Sequence, residues 1–94
     1  MISSKLTIVG KVQGVGFRAF ASAVAEQMGI TGTVRNMPNG AVEIFGEFED
    51  EGKMEKFISR IKAGQGEIEV RQVQISKKRR AQARSFNSFT IARG

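Results

Sequence analysis

The sequence predicts an α+β sandwich, an antiparallel sheet with two helices on one face, in the chain order β-α-β-β-α-β. Three observations predict it. Apolar residues alternate with period two in some segments and recur at i, i+3, i+4, i+7 in two others, interleaved in that order. The turn signal Met37-Pro38-Asn39-Gly40 lies between two strand-like segments and joins them as a hairpin. Ninety-four residues, 40% of them apolar, suffice for one small core, so residues 1–94 are expected to form a single domain.

Each element has its own signature. Leu6, Ile8 and Val12 mark a first strand over about residues 4–12. From Phe17 the period becomes helical: Phe17, Phe20, Ala21, Val24, Ala25 and Met28 form one stripe, and Gly29 supplies a stop. Ile30, Gly32 and Val34 give the second strand, and Val42, Ile44 and Phe48 one face of the third. Glu49-Asp50-Glu51 places negative charge at the start of a second helix, where the helix dipole favours it. Its stripe is Met54, Phe57, Ile58 and Ile61, ended by Gly64 and Gly66. In the fourth strand Ile68 and Val70 are in one phase and Val73 and Ile75 in the other, which predicts a bulge near Arg71-Gln72. Ser76 to Arg84 reads as a loop or a strand extension, and Phe89 and Ile91 as a short closing strand. This is the split βαβ, ferredoxin-like arrangement.

Composition removes whole classes of chemistry. There is no cysteine and no histidine, so disulfides, thiolate nucleophiles, Ser-His-Asp triads and imidazole general bases are all excluded. No apolar run approaches the ~18 residues that cross a bilayer, and the N-terminus lacks the pattern of a signal peptide. No membrane partner is expected, and a cytoplasmic protein is. The net charge of +6 is uneven: residues 71–94 hold seven basic side chains and no acidic one. Two readings of that excess stand, a general attraction for anionic partners and a solvated segment that aids solubility.

The chemistry-bearing segment is Gly10-Lys11-Val12-Gln13-Gly14-Val15-Gly16-Phe17-Arg18, between the first strand and first helix. Glycines at such a junction let consecutive N–H groups turn inward at the helix's positive end, a cradle for a phosphate-sized anion. Arg18, in the first turn, is placed to grip the same anion with its planar fork. The alternative is that the glycines only shape a tight connection. Gly14-Val15-Gly16-Phe17-Arg18-Ala19 also fits the loose dinucleotide pattern, but a hairpin follows the helix and residues 32–42 contain no Asp or Glu, so that reading fails.

Residues 8–18, Ile-Val-Gly-Lys-Val-Gln-Gly-Val-Gly-Phe-Arg, resemble the signature of the acylphosphatase family at every defined position. Gly32-Thr33-Val34-Arg35-Asn36-Met37-Pro38-Asn39-Gly40-Ala41-Val42 is similar to the family's second signature, around an asparagine at a strand end. The resemblance covers the whole chain. It implies hydrolysis of the carboxyl-phosphate anhydride of acyl phosphates to a carboxylate and inorganic phosphate. It further implies a phosphate-binding loop of Gln13, Gly14, Val15, Gly16, Phe17 and Arg18, with Arg18 and Asn36 catalytic and Asn36 orienting the water. A carboxylate leaves readily, so the chemistry needs phosphate positioning and charge compensation more than an imidazole acid; no metal and no cofactor are expected. The expected partners are a small acyl phosphate, with inorganic phosphate or sulfate as a product-like ligand, and the expected state is a monomer.

The chain departs from the family where Thr33 replaces a usual aromatic residue, which bears on pocket lining. Phe48 replaces a usual glycine, which suggests a third strand that continues or turns differently. The C-terminus also extends a residue further than in many members. Two other functions compete. An RNA-recognition module shares the βαββαβ order, but it stacks bases on central-strand aromatics, and here only Phe45 is available on the face opposite Val42 and Ile44. Nucleic acid is therefore not an expected partner. A binding-only acylphosphatase-like domain, of the kind fused to larger carbamoyl-transferring maturation proteins, is disfavoured by the presence of both Arg18 and Asn36 in a small chain that starts at Met1. The segment Lys77 to Arg84 is expected to be solvated and of little consequence to chemistry.

Overall fold

The computed structural model describes residues 1–92, the side chain of Lys77 apart. Its elements are β1 (Ile2–Lys11), α1 (Phe17–Gln27), β2 (Thr31–Asn36), β3 (Val42–Phe48), α2 (Glu51–Ala63), β4 (Glu69–Arg80) and β5 (Phe89–Ile91). The strands form one sheet in the order β4-β1-β3-β2-β5. The four longer strands pair antiparallel, but β5 runs parallel to β2, with Gly32 opposite Phe89 and Val34 opposite Ile91. The sheet is therefore mixed, which corrects the all-antiparallel expectation. The reason lies in residues 81–88, which carry the chain back to the β2 edge in the same direction as β2.

Both helices pack on the face that carries Leu6, Ile8, Val34, Val42, Ile44 and Phe48, all buried, and α1 and α2 supply Phe17, Ala21, Met54, Phe57 and Ile61 from above. The helical stripes read from spacing are thus the core-facing ones. Asp50 caps α2 by accepting a hydrogen bond from the Lys53 N–H at 2.8 Å. Phe48 closes β3 with its ring over Gly46, where a Cβ would collide with it, and 5.7 Å from the ring of Phe57. The third strand continues to Phe48, as that departure suggested. In β4 the register against β1 shifts between Gln72 and Val70, so Arg71 is the extra residue and the predicted bulge is present. A second shift, opposite Ser3 to Lys5, has no counterpart in the apolar pattern.

The basic segment divides. Residues 77–80 extend β4, pairing with the start of β1, and Lys78 forms an ion pair with Glu51. Arg84 is not simply solvated: its guanidinium donates to Thr31 Oγ1 at 2.9 Å. Thr31 in turn donates to Glu47 at 2.7 Å, and Glu47 also accepts from the N–H groups of Ser85 and Phe86, at 2.6 and 3.1 Å. Glu47 is only 1% exposed. Burial pushes its carboxyl upward, but the Ser85 N–H, the Thr31 hydroxyl, the Phe86 N–H and the nearby Arg84 charge together hold it below the ordinary glutamate value. Phe86 then lays its ring 5.7 Å from Phe45, covering the one aromatic residue of the outer sheet face. The extended C-terminus turns on Arg93 and Gly94, which lie outside the described residues.

Candidate active site

Gly14 and Gly16 hold positive φ, 76° and 81°, and each faces open space where a Cβ would stand. Gly16 is the N-cap residue of α1, and it has no side chain with which to satisfy the helix's first donors. The first helical hydrogen bond is from the Phe20 N–H to the Gly16 carbonyl, at 3.1 Å. Among the described residues the N–H groups of Phe17, Arg18 and Ala19 have no acceptor. No acidic residue stands in that first turn to neutralise its positive end.

A cleft of about 230 Å³ opens at this point. Gly14, Gly16, Phe17 and Arg18 form one side, and Asn36 at the end of β2 forms the other. Arg18 is half-buried, and no carboxylate or hydrogen-bond acceptor engages its guanidinium among the described residues. Asn36 lies on the helix-facing side of β2, in phase with Val34. Its Oδ1 is buried with no hydrogen-bond partner. A side-chain amide held in this way, at the rim of a cleft lined by cationic and N–H donors, is a polar group with its bonding still to be completed.

Two of the residues expected at the site have other duties. The side chain of Gln13 does not line the cleft: its Nε2 donates to the carbonyls of Met37 and Ala41, at 2.7 and 2.8 Å. It ties the glycine loop to the β2–β3 turn, which fixes the loop relative to Asn36. That turn is closed by the Met37 N–H on the Ala41 carbonyl at 2.8 Å and by Asn39, which accepts from the Ala41 N–H at 3.0 Å. Val15 packs half-buried against the core and faces a neighbouring groove. Thr33, expected to bear on pocket lining, is absent from the cleft. It pairs with Phe45 and Thr90 inside the sheet.

Three cleft residues escaped the sequence reading: Val12 at the floor, Ala19 one position past Arg18, and Ile91 of β5. Ala19 follows from helix geometry, since the first turn presents consecutive residues to one anion. Ile91 had no sequence signal, because its place depends on the parallel β5–β2 pairing. That pairing is continued by the Ala92 N–H on the Val34 carbonyl, at 2.8 Å.

The family model that matches the chain is Acylphosphatase, over residues 4–91. An acylphosphatase of Archaeoglobus fulgidus is 40% identical over 92 residues, covering 98% of this chain and 99% of the relative. One from Methanospirillum hungatei is 44% identical over 92 residues, 94% of this chain and 93% of the relative. Among solved structures, the acylphosphatase of Bacillus subtilis superposes with a TM-score of 0.88 at 29% identity, covering 98% of this chain and 99% of that one.

Proposed function

The chain belongs to the acylphosphatase family and hydrolyses the carboxyl-phosphate bond of acyl phosphates, and on that premise we propose how its residues do so. The phosphoryl group sits in the loop Gln13–Arg18, on the backbone N–H groups at the start of α1, with the Arg18 guanidinium against its equatorial oxygens. Asn36 holds the attacking water. The observation that carries this reading is the uncapped start of α1, whose residues Gly16 to Arg18 share one cleft with Asn36.

The step balances without a side-chain acid. A new bond forms between phosphorus and the water oxygen while the bond from phosphorus to the bridging oxygen breaks. The electron pair leaves on the carboxylate, a stable anion that needs no proton. The water proton passes to a phosphate oxygen of the substrate, since Asn36 is an amide and no carboxylate lines the cleft among the described residues. The protein's contribution is placement and charge compensation: donors fixed beforehand stabilise the spreading charge of the phosphoryl group. An amide suits the water because it adds no repulsion toward the phosphate.

Inorganic phosphate, as product and mimic of the transferring group, should compete with benzoyl phosphate and shift the amide resonances of Gly14 to Arg18. Phosphate release from benzoyl phosphate in the presence of EDTA reports turnover. Absence of competition together with unperturbed loop amides would overturn the cradle.

A further inference from the structure

A second groove, of about 460 Å³, adjoins the cleft. Gly16 and Ala19 line both, so the two meet over the start of α1. The remaining wall is largely apolar: Val15, Phe20 and Ala23 from the helix side, and Ile68 from the connection between α2 and β4. Val15 and Phe20 are half-buried and Ile68 is buried, so these surfaces are fixed by the core and not by mobile chain. The connection is itself tight, with the Gly64 N–H on the Ile61 carbonyl at 3.2 Å and the Ile68 N–H on the Gln65 carbonyl at 3.1 Å. No side chain obstructs the passage at Gly16, where a Cβ would meet only open space.

We propose that this groove is the acyl-group subsite, and that it selects acyl phosphates whose acyl part is uncharged and apolar. The proposal rests on the phosphate cradle described above and adds a direction to it. Displacement at phosphorus is in line, so water and leaving group stand on opposite sides. Asn36 and Ile91 flank the start of α1 on the β2–β5 side. The groove flanks it on the α2 side. A leaving carboxylate opposed to the Asn36-bound water therefore points into the groove. An aromatic or branched acyl group offers apolar surface to the wall there, whereas an acetyl group offers a single methyl. Among the described residues the wall carries one carboxylate, the exposed Glu67, which repels an acyl part that carries its own negative charge.

The test uses two phosphonates in which CH₂ replaces the bridging oxygen: phenacylphosphonate for a benzoyl substrate and acetonylphosphonate for an acetyl one. The phenacyl ligand should inhibit about tenfold more tightly, the scale of selectivity an apolar pocket gives. It alone should shift the amide resonances of Gln65 to Ile68, while both ligands shift those of Gly14 to Arg18. Ala23→Trp, at an exposed helix position, fills the groove and should bring the two inhibition constants together by weakening the phenacyl ligand alone. Equal inhibition by both ligands in the native protein, with residues 65–68 unperturbed, would overturn the subsite while leaving the cradle standing. Equal weakening of both ligands by Ala23→Trp would also count against it. Failure of inorganic phosphate itself to compete is the separate result that removes the cradle. The resonance measurement on the native protein keeps the question decidable even if Ala23→Trp does not fold.

Discussion

Two polar clusters sit at opposite ends of β2, and they differ in how completely they are satisfied. At one end Glu47 takes up Thr31, Ser85 and Phe86, with Arg84 behind them, and Glu47 is sealed from solvent. At the other end Arg18 has no partner among the described residues, the first N–H groups of α1 have no acceptor, and Asn36 Oδ1 is buried unpaired. A buried charge with a full set of donors fastens chain to chain, in this case the 81–88 segment to the sheet. Donors converging on a cleft without an acceptor among the described residues are the arrangement that an anion-binding site requires. Both clusters are costly to assemble, and only the second leaves its hydrogen-bonding capacity open.

Changes at the open cluster should damage chemistry, and changes at the closed one should damage stability. The largest effect is expected from Arg18→Ala, which should lower turnover by about 10²- to 10³-fold and weaken phosphate inhibition with it, as loss of a charged transition-state donor does. Arg18→Lys should restore little of it, since a point charge lacks the bidentate fork. Asn36→Ala should cut turnover by a similar order while phosphate inhibition stays nearly intact, the pattern of a group needed mainly in the transition state. Loss of phosphate inhibition with turnover retained would instead move Asn36 into the anion cradle. Thermal unfolding should show both variants folded.

Glu47→Ala should reverse the pattern. Its removal leaves two N–H groups and the Thr31 hydroxyl without their acceptor and takes away the negative charge facing Arg84, at a cost of about 2–4 kcal/mol in a denaturant titration. Turnover of the folded fraction should stay close to that of the parent. The pH dependence has a definite sign. The Glu47 carboxyl is held below the ordinary glutamate value in the folded chain, and so is that of Glu43, where burial is outweighed by Arg35 and Lys5. The unfolded chain therefore takes up protons first as pH falls. The stability these groups contribute is complete above the ordinary glutamate range and is lost between that range and their lower folded values. Glu47→Gln should flatten this slope in the melting midpoint between neutral and acid pH; an unchanged slope would break the comparison. The smallest effect is expected from neutralising Lys77, Lys78, Arg79 and Arg80 together. The four lie on the β4 extension away from the cleft, and charges beyond the ~8 Å Debye length are screened at physiological salt. Turnover should barely move, and a large loss in a folded protein would assign the strand extension a catalytic duty.

The sequence was most legible where a pattern has a single physical cause. The stripe from Phe17 to Ala25 could only be the buried face of α1, and the change of phase from Val70 to Val73 required the extra residue found at Arg71. Gly14 and Gly16 were legible as a strand-to-helix junction, where both hold positive φ. The spacing left open whether the loop binds anything, and it was the family resemblance that singled out Arg18 and Asn36. Glu47 was not, since in β3 it occupies the alternate phase with Glu43 and Phe45, where a glutamate ordinarily faces water. What buries it is a segment some forty residues later, whose path no local periodicity records. Ile91 was hidden for the same reason, as a three-residue strand does not announce whether it will run parallel or antiparallel.

The parallel strand also sets a timetable. During synthesis Gly14 to Arg18 leave the ribosome early, and Ile91 follows roughly 4–15 s later at about 5–20 residues per second. Until then one wall of the cleft does not exist, the β2 edge is bare, and Glu47 awaits Ser85 and Phe86. Closing the sheet requires Val34 to meet Ile91 across most of the chain, a contact whose loop-closure entropy must be overcome before it returns any stability. A nascent chain can thus hold the helix start that would bind phosphate while lacking the enclosure that would let it act.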